Sequence, residues 1–171
     1  MPPRQLLYPL AVTLALLLTP LAAQSEDGVS THEVRLGMVN AQSGPASGLG
    51  IHMKAGVQAY FTRVNATGGV HGRTLNLIVK DDGYEPARSA AHTEELINSD
   101  NIFALLGYVG TPTSRAALPI AMRAEVPYLF PFTGAEFLHT PVKKWAFNVR
   151  ASYLDETETL VEHLTTDLGV S

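Results

Sequence analysis

The sequence predicts an α/β fold built on a doubly wound parallel sheet. Short apolar segments with strand-like patterning alternate along the chain with segments whose apolar residues recur at helical spacing. The order is strand, helix, strand, helix, strand, helix, strand, and the connections between these segments are short. Such an alternation requires right-handed crossovers, which place helices on both faces of a parallel sheet.

The first half of the chain supplies two strands and the helix between them. Residues 34–39 alternate between apolar and other side chains, which is the pattern of a strand. A loop rich in turn residues covers 40–50, and an apolar stripe at helical spacing follows over 53–64. We expect this stripe to belong to the core. A second strand covers 75–80 and ends in two aspartates.

The next segments continue the alternation. Pro86 suits the first turn of a helix whose inward residues we expect to be Ala87, Ala90, Ala91 and Ile97. A third strand over 102–106 leads into an alanine-rich helix that begins near Thr111. A fourth strand follows at 126–130. The chain therefore carries enough elements for one α/β sheet layer with helices on its two faces.

Beyond residue 130 the rhythm becomes irregular. We expect a connection over 131–142, a fifth strand over 145–150 and an amphipathic helix over 152–168. Acidic residues near the start of that helix favour its N-terminal end through the helix dipole. Its apolar stripe has no following strand to pack on, so we expect the stripe to be uncovered.

The N-terminal residues resemble a secretory signal peptide. Arg4 precedes the apolar run 6–18, and small residues follow, so we place the cleavage after Ala23, with Ser25 as the alternative. An uncleaved anchor is the other alternative. The polar and acidic stretch 24–32 is predicted to be a disordered linker. Export would place the protein in the periplasm.

Composition narrows the classes of function. The chain has no cysteine, so an exported form has no disulfides and depends on a buried core for stability. Its formal net charge is −4, with 16 acidic against 12 basic residues, which disfavours nucleic-acid binding. The six histidines are scattered without metal-ligand spacing, and no cofactor or metal is predicted.

The segment 105–114, LLGYVGTPTS, is the strongest candidate for a binding site. It joins the third strand to the following helix, where unpaired N–H groups and the helix dipole favour an anion. Thr111, Thr113 and Ser114 add hydroxyl donors. The alternative is that Thr111 merely caps the helix, which is the commoner use of such a residue.

Other chemistry has weaker support. The glycine-rich loop 44–50 lacks the spacing of a dinucleotide or phosphate-binding loop. Asp81 and Asp82 could be paired catalytic or metal-binding carboxylates, but turn preferences favour a role in ending a strand and capping the next turn. Nothing in the sequence indicates catalysis, although an enzyme such as an amide hydrolase remains an alternative.

Five segments in register resemble the amino-terminal lobe of the type I periplasmic binding proteins of ABC transporters, and in particular the leucine/isoleucine/valine-binding group. They are LGMVNAQSGP (36–45), NATGGVHGR (65–73), KDDGYEP (80–86), LGYVGTPTS (106–114) and PYLFPFTGAEFL (127–138). The resemblance implies two α/β lobes that close on a small molecule and deliver it to a membrane permease.

The resemblance also implies roles for individual residues. The hydroxyl residue that matches Thr111, with the helix after it, holds the ligand carboxylate. Phe132 matches the residue whose backbone carbonyl accepts from the ligand ammonium. The family's threonine falls on Gly134 here, so either Thr133 substitutes for it or that contact is lost. The family's aromatic residue over the ligand corresponds to Leu49.

Two tyrosines are further candidates to line the cleft, Tyr108 before the site and Tyr84 after the aspartates. Leu49 and Gly134 differ from the aromatic residue and the threonine that the family has at these positions. The identity of the ligand is therefore open, either a branched-chain amino acid or another small carboxylate. A ligand-sensing module of a signalling receptor is the alternative to a transport function.

The family pattern divides the chain into a lobe over 33–150 and the beginning of a second lobe over 151–171. The second lobe is otherwise missing from the sequence, so we expect a fragment or a truncated chain. Half of the ligand contacts would then be absent, and we expect weak binding by this chain alone.

Overall fold

Five parallel strands form one sheet in a computed structural model that describes residues 26–170. The strands follow the spatial order β2-β1-β3-β4-β5. Their bounds are Glu33–Asn40 (β1), Thr74–Asp81 (β2), Ala104–Leu106 (β3), Tyr128–Leu129 (β4) and Ala146–Phe147 (β5). The predicted doubly wound α/β class is confirmed, although β3, β4 and β5 are shorter than the sequence predicts.

Helices connect the strands and lie on both faces of the sheet. Their bounds are Ser47–Ala66 (α1), Pro86–Asn98 (α2), Thr111–Arg123 (α3) and Tyr153–Glu162 (α4). The chain moves outward from β1 to β2 and then returns past β1 to β3 and β4. With right-handed crossovers, α1 therefore lies on one face, and α2 and α3 lie on the other.

The change of direction between β1 and β3 positions the candidate site. In open α/β sheets, ligands bind beyond the carboxyl ends of strands at the point where the strand order reverses. The loops after β1 and β3 meet at this edge, since the Asn40 side-chain amide donates to the Gly107 carbonyl oxygen at 3.2 Å. The fold therefore brings the predicted anion loop to this reversal point.

The main core lies between the sheet and the pair α2 and α3. The rings of Tyr108 and Tyr128 lie 4.8 Å apart between their centroids. The buried members of this core are Val39, Leu96, Ile102, Leu105, Tyr108, Ala117, Leu118, Ala121, Tyr128, Ala135 and Leu138.

The buried face of α2 agrees only in part with the prediction, since Ala90 and Ile97 are half-buried and Ile97 packs against the core. Ala87 and Ala91 are exposed, whereas Ser89, Thr93 and Leu96 are buried. The Thr93 hydroxyl lies 2.7 Å from the Ser89 carbonyl oxygen and 2.8 Å from the hydroxyl of Tyr108. Because its hydrogen bonds are satisfied inside the protein, a threonine can take the core position that the sequence pattern assigns to alanine.

The apolar stripe of α1 is not core, which corrects the prediction for 53–64. Gly50 is buried, whereas the side chains of the stripe are half-buried or exposed, and Tyr60 is 61% exposed. An open apolar groove of about 630 Å³ separates α1 from the sheet. Its lining includes Leu36, Met53, Val57, Tyr60, Leu106 and Leu129.

The predicted linker 24–32 is ordered from residue 26 onward, so the expectation of disorder is wrong there. The Val29 N–H donates to the Glu26 carbonyl oxygen at 3.0 Å, and Gly28 accepts from the Arg35 N–H at 2.8 Å. Gly28 packs against the backbone of Phe103, where a side chain would have no room. The predicted signal peptide, residues 1–23, lies outside the described residues.

The last helix begins where the sequence predicts and has an unusually complete N-terminal cap. The Ser152 hydroxyl accepts from the Asp155 N–H, and the Asp155 carboxylate accepts from the Ser152 N–H, which is a capping box. The helix then passes into a short π-helical turn, His163–Asp167. Its apolar residues are exposed, as expected. None of the helices in residues 26–170 has the length and apolar character needed to cross a bilayer.

Candidate functional site

The candidate site lies at the carboxyl edge of the sheet, where the loops after β3 and β4 run side by side. Val109 and Phe132 form a parallel bridge, and the Phe132 N–H donates to the Tyr108 carbonyl oxygen at 2.7 Å. This pairing extends the sheet past the ends of the two short strands. It holds the residues before α3 against those after β4.

Three hydroxyl groups converge at this edge. Thr111 Oγ1 and Thr133 Oγ1 lie 2.7 Å apart, and Thr133 Oγ1 lies 3.2 Å from Tyr153 Oη. The Ala135 N–H also donates to Thr133 Oγ1 at 3.3 Å. The structure thus brings together two of the predicted site residues, Thr111 and Thr133, and adds a tyrosine from α4.

At the start of α3, the ring of Tyr84 approaches the backbone of Gly110 closely. Gly110 precedes the helix with a φ of 102°, a conformation that favours glycine. The ring of Tyr84 covers this residue, and a Cβ at Gly110 would lie 2.7 Å from Tyr84 Oη. The expectation that Tyr84 borders the site agrees with this position.

Three other predicted donors or cleft residues turn into the interior. The Thr113 hydroxyl is buried and donates to the carbonyl oxygens of Val109, at 2.6 Å, and Gly110, at 3.1 Å. Ser114 and Tyr108 are also buried. Their side chains therefore do not fit the expected contact with a ligand, because the inward face of α3 and the end of β3 direct them toward the core.

Phe132, in the loop after β4, and Leu49, at the start of α1, are both partly exposed apolar residues. Phe132 is 43% exposed, and its ring lies 5.7 Å from the guanidinium carbon of Arg150. Leu49 is 49% exposed and lies in the first turn of α1, not in a loop, because the helix begins at Ser47. Both side chains offer apolar surface to a ligand.

Position 134 has room only for glycine. A Cβ there would lie 2.8 Å from the Ala151 carbonyl oxygen and 2.9 Å from Tyr153 Cδ1. The Tyr153 N–H donates to the Gly134 carbonyl oxygen at 2.7 Å. The segment that enters α4 therefore packs directly on the loop after β4.

Sequence reasoning missed Tyr153 and Arg150 as neighbours of the site. The Arg150 guanidinium lies 5.0 Å from the Tyr153 ring centroid and forms two hydrogen bonds, of 2.7 and 2.8 Å, to the Glu156 carboxylate. The hydrogen bond to Glu156 raises the pKa of Arg150. The hydrogen bond to Thr133 lowers the pKa of Tyr153, and the charge of Arg150 acts in the same direction. The one available signal was the aromatic residue directly after the helix cap.

Asp81 organises the loops at the edge of the sheet. Its carboxylate accepts from the N–H groups of Gln42, Ser43 and Gly83, and from the Ser43 hydroxyl at 2.6 Å. Partial burial raises the pKa of Asp81, but these hydrogen bonds outweigh burial and lower it to about 2. This arrangement agrees with the structural role that turn preferences favour.

Asp82 has the opposite environment. Its side chain is buried, and its Oδ1 accepts from the Tyr84 N–H at 2.8 Å. Within residues 26–170, its Oδ2 atom has no hydrogen-bond partner. Burial raises the pKa of this carboxyl group. The Asp82 side chain has no surface accessible to solvent. The described residues contain no cluster of metal-ligating side chains.

Comparison with known families decides the class of the protein. A family model described as a periplasmic binding protein matches residues 33–171. The chain belongs to this family. The resemblance inferred from the five segments is therefore confirmed. The hydroxyl cluster lies within the part of the chain that the family model matches.

Similar binding proteins include two solved structures. A possible leucine/isoleucine/valine-binding protein from Rhodopirellula baltica SH 1 is 39% identical with a TM-score of 0.75, and the match covers 85% of this chain and 38% of that one. A fatty acid ABC transporter substrate-binding protein from Thermomonospora curvata is 25% identical with a TM-score of 0.74, over 85% of this chain and 36% of that one.

A curated relative gives the same picture. Leu/Ile/Val-binding protein homolog 6 from Brucella abortus is 28% identical over 144 residues, which are 80% of this chain and 34% of the relative. The chain thus spans little more than a third of the length of the binding proteins that it matches. It corresponds to one α/β lobe of these proteins.

Proposed function

We propose that this chain is part of the extracytoplasmic solute-binding component of an ABC uptake transporter and binds a small carboxylate, such as a branched-chain amino acid. The observation that carries the proposal is the pair of hydroxyls of Thr111 and Thr133, 2.7 Å apart at the N-terminus of α3. Hydroxyl donors beside the positive end of a helix dipole favour a negatively charged group.

The ammonium group of an amino acid also has a potential partner at this edge of the sheet, the carbonyl group of Phe132. The Phe132 backbone follows β4 and is held by its N–H bond to Tyr108, so its carbonyl group occupies a fixed position. Such a carbonyl is the acceptor that an ammonium group requires. We infer that the apolar side chains of Leu49 and Phe132 contact the rest of the ligand.

The names of the similar proteins support a carboxylate ligand. The Rhodopirellula and Brucella proteins are named for leucine, isoleucine and valine, and the Thermomonospora protein is named for fatty acids. Amino acids and fatty acids share a carboxylate attached to an apolar group. We therefore extend to this chain the shared chemistry and not one named ligand.

Location and mechanism follow from this proposal. Residues 1–23 would direct export to the periplasm, residues 33–150 would form the first ligand-binding lobe, and 151–171 would begin the second. Closure of two lobes would bury the ligand, and an ABC permease would receive it. No bond of the ligand changes in this process, so the ligand should be recovered unaltered after incubation.

The test compares binding of L-leucine and L-leucinamide, which differ in the carboxylate. Nuclear magnetic resonance titration at millimolar ligand detects the weak binding expected of one lobe. We expect Thr111→Val to weaken L-leucine binding about tenfold or more, the usual cost of losing a hydrogen bond to a charged group. L-leucinamide should be much less affected.

Thr62→Val is the matched control because Thr62 is exposed on α1. It should leave the binding of L-leucine unchanged. Equal binding of L-leucine by the Thr111→Val variant and the unmodified chain would contradict the proposal.

A further inference from the structure

Tyr153 is held at the hydroxyl cluster by two separate contacts. Its N–H donates to the Gly134 carbonyl oxygen at 2.7 Å, and its hydroxyl lies 3.2 Å from Thr133 Oγ1. The capping box of Ser152 and Asp155 fixes the backbone just before and after it. Its ring is 44% exposed, so the side chain is anchored at the edge of the site and still reaches solvent.

The loop after β4 has a residue that makes room for this tyrosine. Any side chain at Gly134 would meet the Ala151 carbonyl oxygen and the Tyr153 ring within 3 Å. The φ of Gly134 lies outside the left-handed range, so this glycine answers a need for space and not for backbone conformation. The position of Tyr153 therefore depends on the smallest possible residue beneath it.

The number of protons in the cluster suits a carboxylate. Thr133 Oγ1 accepts from the Ala135 N–H and has a single proton, which it donates to one of its two hydroxyl neighbours. While both contacts are hydrogen bonds, the other neighbour donates to Thr133, and only one hydroxyl proton points outward. A ligand carboxylate accepts from both Thr111 and Tyr153 once the proton of the longer contact, 3.2 Å between Tyr153 and Thr133, turns from Thr133 to the ligand. Two outward donors flanking one central hydroxyl match the two oxygens of a carboxylate group.

Nearby charge makes Tyr153 a better donor. The Arg150 guanidinium lies 5.0 Å from the centre of its ring and is fixed by two hydrogen bonds to Glu156. A cation over the face of an aromatic ring withdraws charge from it. The lowered pKa of Tyr153, caused first by the hydrogen bond to Thr133, agrees with a phenol that donates readily.

We propose that Tyr153 is a ligand-contacting residue that, together with Thr111, donates a hydrogen bond to the carboxylate of the ligand and so selects acids over neutral analogues. The inference rests on the proposed function and deepens it, because it adds a residue from the start of α4 to the hydroxyl pair of Thr111 and Thr133. Thr133 is the hydroxyl that positions both donors.

The test uses 4-methylpentanoate and 4-methylpentanamide, which share a carbon skeleton and differ in charge. Binding of each to the chain and to Tyr153→Phe is measured by nuclear magnetic resonance, with the tyrosine ring carbons labelled. We expect Tyr153→Phe to weaken binding of the acid about tenfold or more and binding of the amide less than about twofold. The acid should also shift the Tyr153 ring signal of the unmodified chain.

Two further variants complete the design. Tyr60→Phe removes an exposed hydroxyl from α1 and should leave the binding of both probes unchanged. Gly134→Ala retains every hydroxyl but displaces the Tyr153 ring, and it should reduce the preference for the acid. Circular dichroism of each variant serves as the control for correct folding.

The outcomes separate the two proposals. If the acid binds the chain and is weakened by Thr111→Val but not by Tyr153→Phe, the role of Tyr153 is wrong and the proposed function stands. If neither probe binds the chain, or if Thr111→Val leaves the binding of the acid unchanged, the proposed function fails and the role of Tyr153 fails with it.

Discussion

Asp81 and Asp82 are adjacent in the sequence, yet their carboxyl groups have opposite electrostatic environments. Asp81 is surrounded by hydrogen-bond donors from two loops, whereas Asp82 is buried with one oxygen unpartnered within the described residues. The pKa of Asp81 is lowered to about 2 and that of Asp82 is raised. Substitution of each by its amide therefore has opposite expected effects on stability.

Asp81→Asn should destabilise the protein at neutral pH. Because the folded-state pKa of about 2 lies below the ordinary value of 3.8, the ionised carboxylate stabilises the fold above that ordinary value. This contribution is lost as the pH falls from 3.8 through 2. Allowing for solvent screening, we expect a loss of about 1 kcal/mol at pH 7.

Urea unfolding at pH 7 and pH 2 measures this effect. The difference in the free energy of unfolding between the variant and the unmodified chain should narrow at the lower pH. A difference that is the same at both pH values would contradict the assigned role of Asp81.

Asp82→Asn should raise the free energy of unfolding at neutral pH. Burial raises the pKa of Asp82, so folding favours its protonated form and the stability contributed by that form declines as the pH rises above the ordinary value of 3.8. An amide of the same shape carries no charge at any of these pH values. Thermal unfolding followed from pH 4 to pH 8 should show a smaller decline for the variant, and an equal or steeper decline would overturn this interpretation.

The candidate site could be predicted only in part from sequence. Thr111 and Thr133 do meet, because the ends of parallel strands share one edge of the sheet. Thr113 and Tyr108 turn inward, and nothing in a short hydroxyl-rich segment tells which side of a helix start faces the core. Tyr153 belongs to a later segment of the chain, the start of α4. Its contact with Thr133 depends on close packing against Gly134, which no local sequence pattern predicts.

At the scale of elements, the order of strands and helices follows from hydrophobic periodicity alone. The residues that each helix buries do not follow from this periodicity. The α2 helix buries Thr93, whose hydroxyl bonds to Tyr108, whereas two of the three alanines that the pattern favours, Ala87 and Ala91, are exposed. The stripe of α1 was expected to be core but borders an open groove, because periodicity predicts an apolar face without showing what covers it.

The α4 helix should depend strongly on its N-terminal cap. None of its residues is buried, so tertiary packing contributes little to it, and the capping box of Ser152 and Asp155 is its main local support. We expect Ser152→Ala to cost about 1 kcal/mol of helix stability. Amide hydrogen exchange over 153–162 measures the effect and should become faster.

Thr157→Ala is the matched control for this prediction. Its hydroxyl donates to the Tyr153 carbonyl oxygen inside the same helix at 2.6 Å but does not cap it. Comparable acceleration of exchange in both variants would show that the cap has no special role.

At the scale of the whole molecule, the two faces of the sheet are unequally covered in residues 26–170. The pair α2 and α3 covers one face, while α1 leaves an apolar groove of about 630 Å³ on the other. An exposed apolar surface of this kind binds hydrophobic dyes. Val57→Lys, which places a charge in the groove, should therefore remove most of the dye fluorescence of the folded chain.

Gln58→Lys provides the control, because Gln58 is exposed on α1 and is not among the residues that line the groove. Its dye fluorescence should match that of the unmodified chain. Equal loss in both variants would mean that net charge, and not the groove, governs dye binding.

An amide-resolved titration of the chain with L-leucine locates the binding site and so tests the proposed carboxylate site. We predict saturable shifts at 110–114, 132–135 and 153, the residues around the three hydroxyls, with a weak affinity in the millimolar range. Shifts confined to the apolar groove beside α1, or none at the hydroxyl cluster at saturating ligand, would contradict the proposed carboxylate site.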